Sequence, residues 1–334
     1  MTALPAARLA AVSGMFREVG DLKRVRVAHA AGSVAQRSFI RAWAALVAGA
    51  DPGRVAGAEC AAALAGARLA GVDAAVLLAA GLPPDETIQV LSRAVHEVAG
   101  GLHPAAVARA HAALPDLVAG ATERSQGDQP GDQGDQPGDP CDQPGDLGDQ
   151  SPDAGRLPPF VGALCRQPRA GATAPGKPRL IVEPPENHAE HCWAVAVYGS
   201  LLADDFAADP GEVWLLGLAH HLPNATLPDA GFAGDILLGE HLDAVQHRLT
   251  ERELATLPAA LAARVRALLE LRADAGTAVG RAFHAADVLD RVLQVRHHAR
   301  AAGFTAEQAL VDLELVHAGP VTDYQHAVLA AAGR

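Results

Sequence analysis

Aromatic residues are scarce in this chain, at 4% of its 334 positions. That shortage weighs against the alternating β-branched and aromatic runs from which strands are built. Cysteine is rarer still: Cys60, Cys141, Cys165 and Cys192 form no C-x-x-C pair. Neither a zinc ribbon nor a disulfide framework is indicated, and a reducing cytoplasm is the expected location. Long hydrophobic runs are missing as well. The most apolar stretch, 61–82, is broken by Arg68 and Asp73, and "MTALPAARLAAVSGMFREVGDLKR" has no apolar core behind a basic start. No membrane partner and no signal peptide are therefore expected. Finally, no dense basic stripe appears, so a nucleic-acid polymer is not an expected partner either.

What the chain does have is Ala, Leu and Val. They carry most of a hydrophobic fraction of 49%, and their spacing at three and four positions predicts an all-α fold. The net charge of −12 is unevenly placed, because eight aspartates without a compensating Lys or Arg fall between Gly127 and Asp153. The remainder is close to neutral. That acidic stretch, "GDQPGDQGDQPGDPCDQPGDLGDQ", repeats Gly-Asp-Gln-Pro units with almost nothing apolar. It is predicted to be a disordered linker at 123–156, since it cannot offset its own ordering entropy.

The linker divides the expected organisation in three. Residues 1–122 predict a helical module, with Ser33 as an N-cap and Phe39, Trp43, Ala44 and Val47 on one face of the helix that follows. Further helices are expected at "GRVAGAECAAALAGARLAG", "VDAAVLLAAG", "PPDETIQVLSRAVHEVAG" and "HPAAVARAHAAL". His29, His96, His103 and His111 are scattered through this module without ligand-like clustering, and docking or homodimerisation is its default role. Residues 157–334 predict a second helical region, opening on a Pro- and Gly-rich segment that ends in a short β-like "RLIV".

Unusual residues concentrate in this second region. "PENHAEHCWAVAVYGSLLA" sets His188, Glu190 and His191 at the mouth of an apolar run, and "WLLGLAHHLPNATLPD" ends an apolar helix in His220 and His221. In "RAFHAADVLDRVLQVRHHARAAG", His284, Asp287, Arg291 and His298 share one helical face. Histidines and carboxylates at the ends of apolar helices are how helical bundles build metal sites.

In this order the three segments resemble the HD-domain metal-dependent phosphohydrolases, most closely their 5'-deoxynucleotidase-like branch. Glu186, Asn187, Glu190 and His191 match that branch's EN-x-x-EH element. "HHLPNATLPD" aligns with its HD-x-x-E and GD elements, and Asp287 takes the place of its last metal-binding aspartate. The resemblance covers roughly 179–303 and implies an HD-like helical bundle. It also implies a site in which His191, His220, His221 and Asp287 hold one divalent transition metal, from among Zn, Fe, Co, Ni and Mn. Asp229 would orient the substrate, Arg179 would meet its phosphate, and Glu190 or Asp229 would handle the proton. The implied substrate is a small phosphorylated molecule, with nucleotides among the candidates.

Three departures shape those expectations. His221 stands where the family has the aspartate of its name, Asn224 where the branch has a water-activating glutamate, and Pro228 where Gly precedes Asp. Three neutral imidazoles and one carboxylate leave a net charge of about +1 with a divalent ion bound, a set better suited to nitrogen-loving metals than to Mg. Binding should weaken below about pH 6.5, where free imidazole protonates. Asn224 cannot accept a proton, so an alternative reading is a catalytically degenerate HD domain serving as a binding or regulatory module. A third is an HD-type iron oxygenase that would recruit His241 and His247. Of the rest, Trp193 reads as core packing, His188 as a residue that either supports a ligand from behind or lies at the rim, and Arg291 with Arg296, His297 and His298 as a solvated basic face.

Overall fold

The computed structural model describes residues 6–28, 30–127, 157–169, 185–272 and 274–301. The described residues are helical throughout, with two isolated β-bridges, Val27 to Ala30 and Pro168 to Asn187, as the sole extended pairings among them. The acidic Gly-Asp-Gln-Pro stretch from Asp128 onward, "RLIV" and Arg179 lie outside the described residues. No helix among those described is long and apolar enough to cross a membrane.

The first six helices are α1 (Ala6–Asp21), α2 (Val34–Val47), α3 (Pro52–Leu69), α4 (Ala74–Ala79), α5 (Pro84–Val98) and α6 (Pro104–Gly127). Ser33 caps α2 as expected, its hydroxyl accepting from the Gln36 N–H at 3.0 Å. Phe39 and Trp43 are fully buried. Ala35, Ser38, Ala42 and Leu46 take the remaining inner positions, while Ala44 and Val47 are only half-buried. Helix α6 passes through Pro115 and reaches Gly127, five residues into the segment expected to be linker. A mid-helix proline forfeits one backbone hydrogen bond. Here Ala110, Leu114, Val118 and Ala121 continue one buried stripe across it, and that burial outweighs the loss.

After the linker come α7 (Pro159–Arg166), α8 (His188–Leu202), α9 (Pro210–Ala219), α10 (Gly231–Leu238), α11 (Leu242–Leu254), α12 (Ala259–Leu271) and α13 (Ala278–Ala301). Every side chain of α8 is buried, and so are almost all of those in α9. A helix apolar all round belongs at the centre of a bundle. Gly199 and Gly217 let the two backbones approach: a Cβ on Gly217 would stand 2.5 Å from Ala196 Cα, and one on Gly199 2.5 Å from Val213 Cγ1.

Residues 1–291 form one compact unit, and the boundary with a second, Val292–Arg334, falls inside α13. Within residues 1–291, the helices before Asp128 and those after Leu157 therefore share one core. Tyr198 donates to the Phe16 carbonyl at 2.8 Å. Arg8 grips Asp205 with two bonds of 2.9 Å, and Arg109 likewise pairs with Asp204 through both oxygens. The N-terminal helices are thus bonded directly to the helices that carry the site.

Candidate metal centre

Helix α8 starts on a capping box. Asn187 accepts from the Glu190 N–H, and Glu190 Oε2 accepts from the Asn187 N–H at 3.1 Å. The other oxygen, Oε1, accepts from Ser33 Oγ at 2.6 Å and from Arg26 at 3.4 Å. This corrects the expectation that Glu190 handles a proton at the metal: both oxygens are committed to joining the caps of α2 and α8. Burial raises its pKa above the ordinary carboxylate value, against the pull of these donors.

One turn into α8, His191 is fully buried, and its Nδ1–H donates to Asp290 Oδ2 at 2.8 Å. His220, at the end of α9, donates from Nδ1 to the Gly217 carbonyl at 2.7 Å. His221 donates from Nδ1 to Asn224 Oδ1 at 2.7 Å, and the Asn224 amide is held the right way round because its NH2 donates to the Leu227 carbonyl at 3.1 Å. In each ring Nδ1 carries the proton, so the lone pair resides on Nε2. One donor nitrogen from each of the three rings lies within 4.8 Å of the others, a cluster that could hold a metal ion. Burial first, and then neighbouring imidazoles, push the pKa of His220 and His221 well below the ordinary histidine value, which keeps both rings neutral.

His191 Nε2 and His220 Nε2 are 3.2 Å apart. With both Nδ1 atoms already donating, neutral rings place two lone pairs face to face, and a cation between them relieves the repulsion. Two nitrogens bound at about 2.05 Å and subtending about 90–110° would be about 2.9–3.4 Å apart. Asp287 stands beside the set, with Oδ1 3.4 Å from His191 Nε2; Arg291 donates to that oxygen at 3.3 Å and to the other oxygen as well. Burial works to raise the Asp287 pKa, but the neighbouring imidazoles and the Arg291 guanidinium together outweigh it and hold the carboxyl below the ordinary aspartate value. His191, His220, His221 and Asp287 thus stand together.

Asp229 sits to one side, half-buried. Its Oδ1 accepts from the Gly231 N–H at 2.9 Å, and its Oδ2 is 4.0 Å from His188 Nε2. Of its two expected places, behind a ligand or at the rim, His188 takes the first. It is fully buried, donates from Nδ1 to the Gln167 carbonyl at 3.0 Å, and packs edge-on to His221 with ring centres 4.8 Å apart. Its Nε2 has no hydrogen-bond partner among the described residues. Burial lowers its pKa to about 4. His241 and His247, by contrast, are exposed and stand outside the cluster. Trp193 is buried in the core.

Three further residues escaped the sequence reading. Asp290 lies one turn beyond Asp287, and that spacing in "HAADVLD" is a signal that could have found it. Lys23 gives no such signal: in "DLKRVRV" it reads as one more surface cation. Yet its ammonium is buried, 2.7 Å from Asp290 Oδ1 and 2.5 Å from Glu186 Oε1. Burial alone would lower the Lys23 pKa; Asp290 and Glu186 raise it above its ordinary value. The third is Arg169, 3.8 Å from Glu186. Its charge is among those that depress the pKa of His188 and His221.

No curated protein and no solved structure matches the chain. Residues 161–318, a little under half of the chain, match the family model of the HD domain. That stretch contains the three clustered histidines together with Asp287, Asp290 and His188, so the site lies in the part of the chain that is HD-like.

Proposed function

We propose that this protein is a divergent HD-type metal-dependent hydrolase acting on a small phosphorylated molecule, with nucleotides among the candidate substrates. The observation that carries the reading is the convergence of three imidazoles whose Nδ1 protons are each committed elsewhere, with Asp287 beside one of them, 3.4 Å from His191 Nε2. A divalent ion held there supplies Lewis acidity toward the phosphoryl group and toward the attacking water. The chain's residues do the rest. His188 Nε2 can only accept, and it faces Asp229 Oδ2 at 4.0 Å. Together they take the proton that the family's glutamate would take, a role open to neither Asn224 nor Glu190. Arg169 places a cation near the cluster where a phosphate dianion can meet it.

Metal analysis of protein purified without added metal, followed by a screen of phosphorylated metabolites against several divalent ions, tests this reading. About one equivalent of metal and hydrolysis lost in Asp287→Ala are expected. Absence of metal, with full retention of fold in chelator, would overturn it.

A second reading, a binding module that has lost catalysis, is favoured by one observation: Asn224 spends its amide oxygen on His221 rather than on a water. Metal binding without turnover of any phosphorylated compound would select it.

A further inference from the structure

We infer that Lys23, in the turn after α1, is a positioning residue for the metal ligand His191 and acts through Asp290; this rests on the metal reading above. Its Nζ bonds Asp290 Oδ1 at 2.7 Å, and the other oxygen of the same carboxylate takes the His191 Nδ1 proton at 2.8 Å. Each Asp290 oxygen has one strong partner, so the carboxylate cannot rotate without breaking a charge-assisted bond. His191 Nε2 then points where that plane points it. A carboxylate behind a ligating histidine is the usual means of fixing its tautomer and ring orientation. Here the carboxylate is itself fixed by a cation from 267 residues away.

Stability alone is a poor reason for this arrangement. Lys23 is 5% exposed and Asp290 0%, and buried ion pairs are often replaceable by apolar residues without loss. What an apolar pair could not do is hold a hydrogen-bond acceptor at a set angle behind His191. Glu186 shares the ammonium at 2.5 Å and lies 3.8 Å from Arg169, so Lys23 also ties the segment preceding α8 to α13. The helices before the linker therefore contribute a working part of the metal centre.

Cobalt(II) titration of the full chain provides the test, with affinity from chelator competition and ligand geometry from the visible spectrum. Lys23→Met removes the cation. Lys23→Met with Glu186→Gln removes one charge of each sign, so that Asp290 is the one carboxylate of the pair left without its cation. Native helicity with affinity reduced about 10–100-fold and an altered cobalt spectrum are the expected results, with recovery in Lys23→Arg. A folded double variant with wild-type affinity and spectrum would overturn the positioning role and leave the metal reading standing. Failure of the wild-type chain to bind cobalt would overturn both.

Discussion

On the proposed reading Asn224 stands where a residue would act on water; its two amide atoms are both spent on structure, the oxygen on His221 Nδ1–H and the nitrogen on the Leu227 carbonyl. It aims a ligand rather than activating a nucleophile. Asn224→Leu should therefore weaken metal binding about 10–100-fold, whereas Asn224→Asp, which keeps an oxygen facing His221, should stay close to wild type. Chelator competition on the two variants checks this, and equal losses in both would show that the contact does not orient the ring. His188 illustrates how a side chain's environment changes its meaning. In the sequence it is the outer of two histidines; in the fold it is fully buried with an acceptor nitrogen facing Asp229.

At the scale of elements, the site depends on how closely α8 and α9 pack. Gly217 lies against the Ala196 backbone, and its carbonyl holds His220 Nδ1. Gly217→Ala must push the helices apart, at a cost of about 1–3 kcal/mol, and should lower both the melting temperature and metal affinity; thermal unfolding with and without cobalt measures both. The helices themselves were legible in the sequence, because Ala- and Leu-rich periodicity and the cap at Ser33 are local signals. The two inner helices and the order of the His, His-His and Asp segments were legible too, as was the grouping of ligand candidates on helix ends. Harder to read were the passage of α6 through Pro115, which depends on tertiary burial, and the task of Glu190. A capping-box glutamate and a catalytic glutamate look alike until their donors are placed. Lys23 was out of reach altogether, since nothing local distinguishes a lysine whose partner is hundreds of residues away.

For the whole molecule, the buried histidines set the response to acid. The folded-state pKa of His188 is lowered from 6.5 to about 4, and those of His220 and His221 are lowered as well. Below pH 6.5 the unfolded chain takes up protons that the folded chain refuses, so stability falls as pH drops. Asp287 and Asp290 add to this further down: their depressed pKa values favour the folded state above the ordinary aspartate pKa, and that advantage is lost as the pH falls toward their folded values. Urea midpoints measured in chelator should therefore decline steadily from pH 7 toward pH 4, with an added metal ion steepening the upper part of the curve. A flat profile between pH 6.5 and 5 would mean that the imidazoles are not buried as described.

The bond between Lys23 and Asp290 also fixes when the protein can be finished. Its partners are 267 residues apart, and at about 5–20 residues per second of synthesis some 13–53 s separate their appearance from the ribosome. During that interval the first helices carry an ammonium with no carboxylate from α13 to receive it. The candidate metal centre thus cannot be completed until α13 has been made, and a chain cut short before residue 290 would have made every N-terminal helix without ever assembling it.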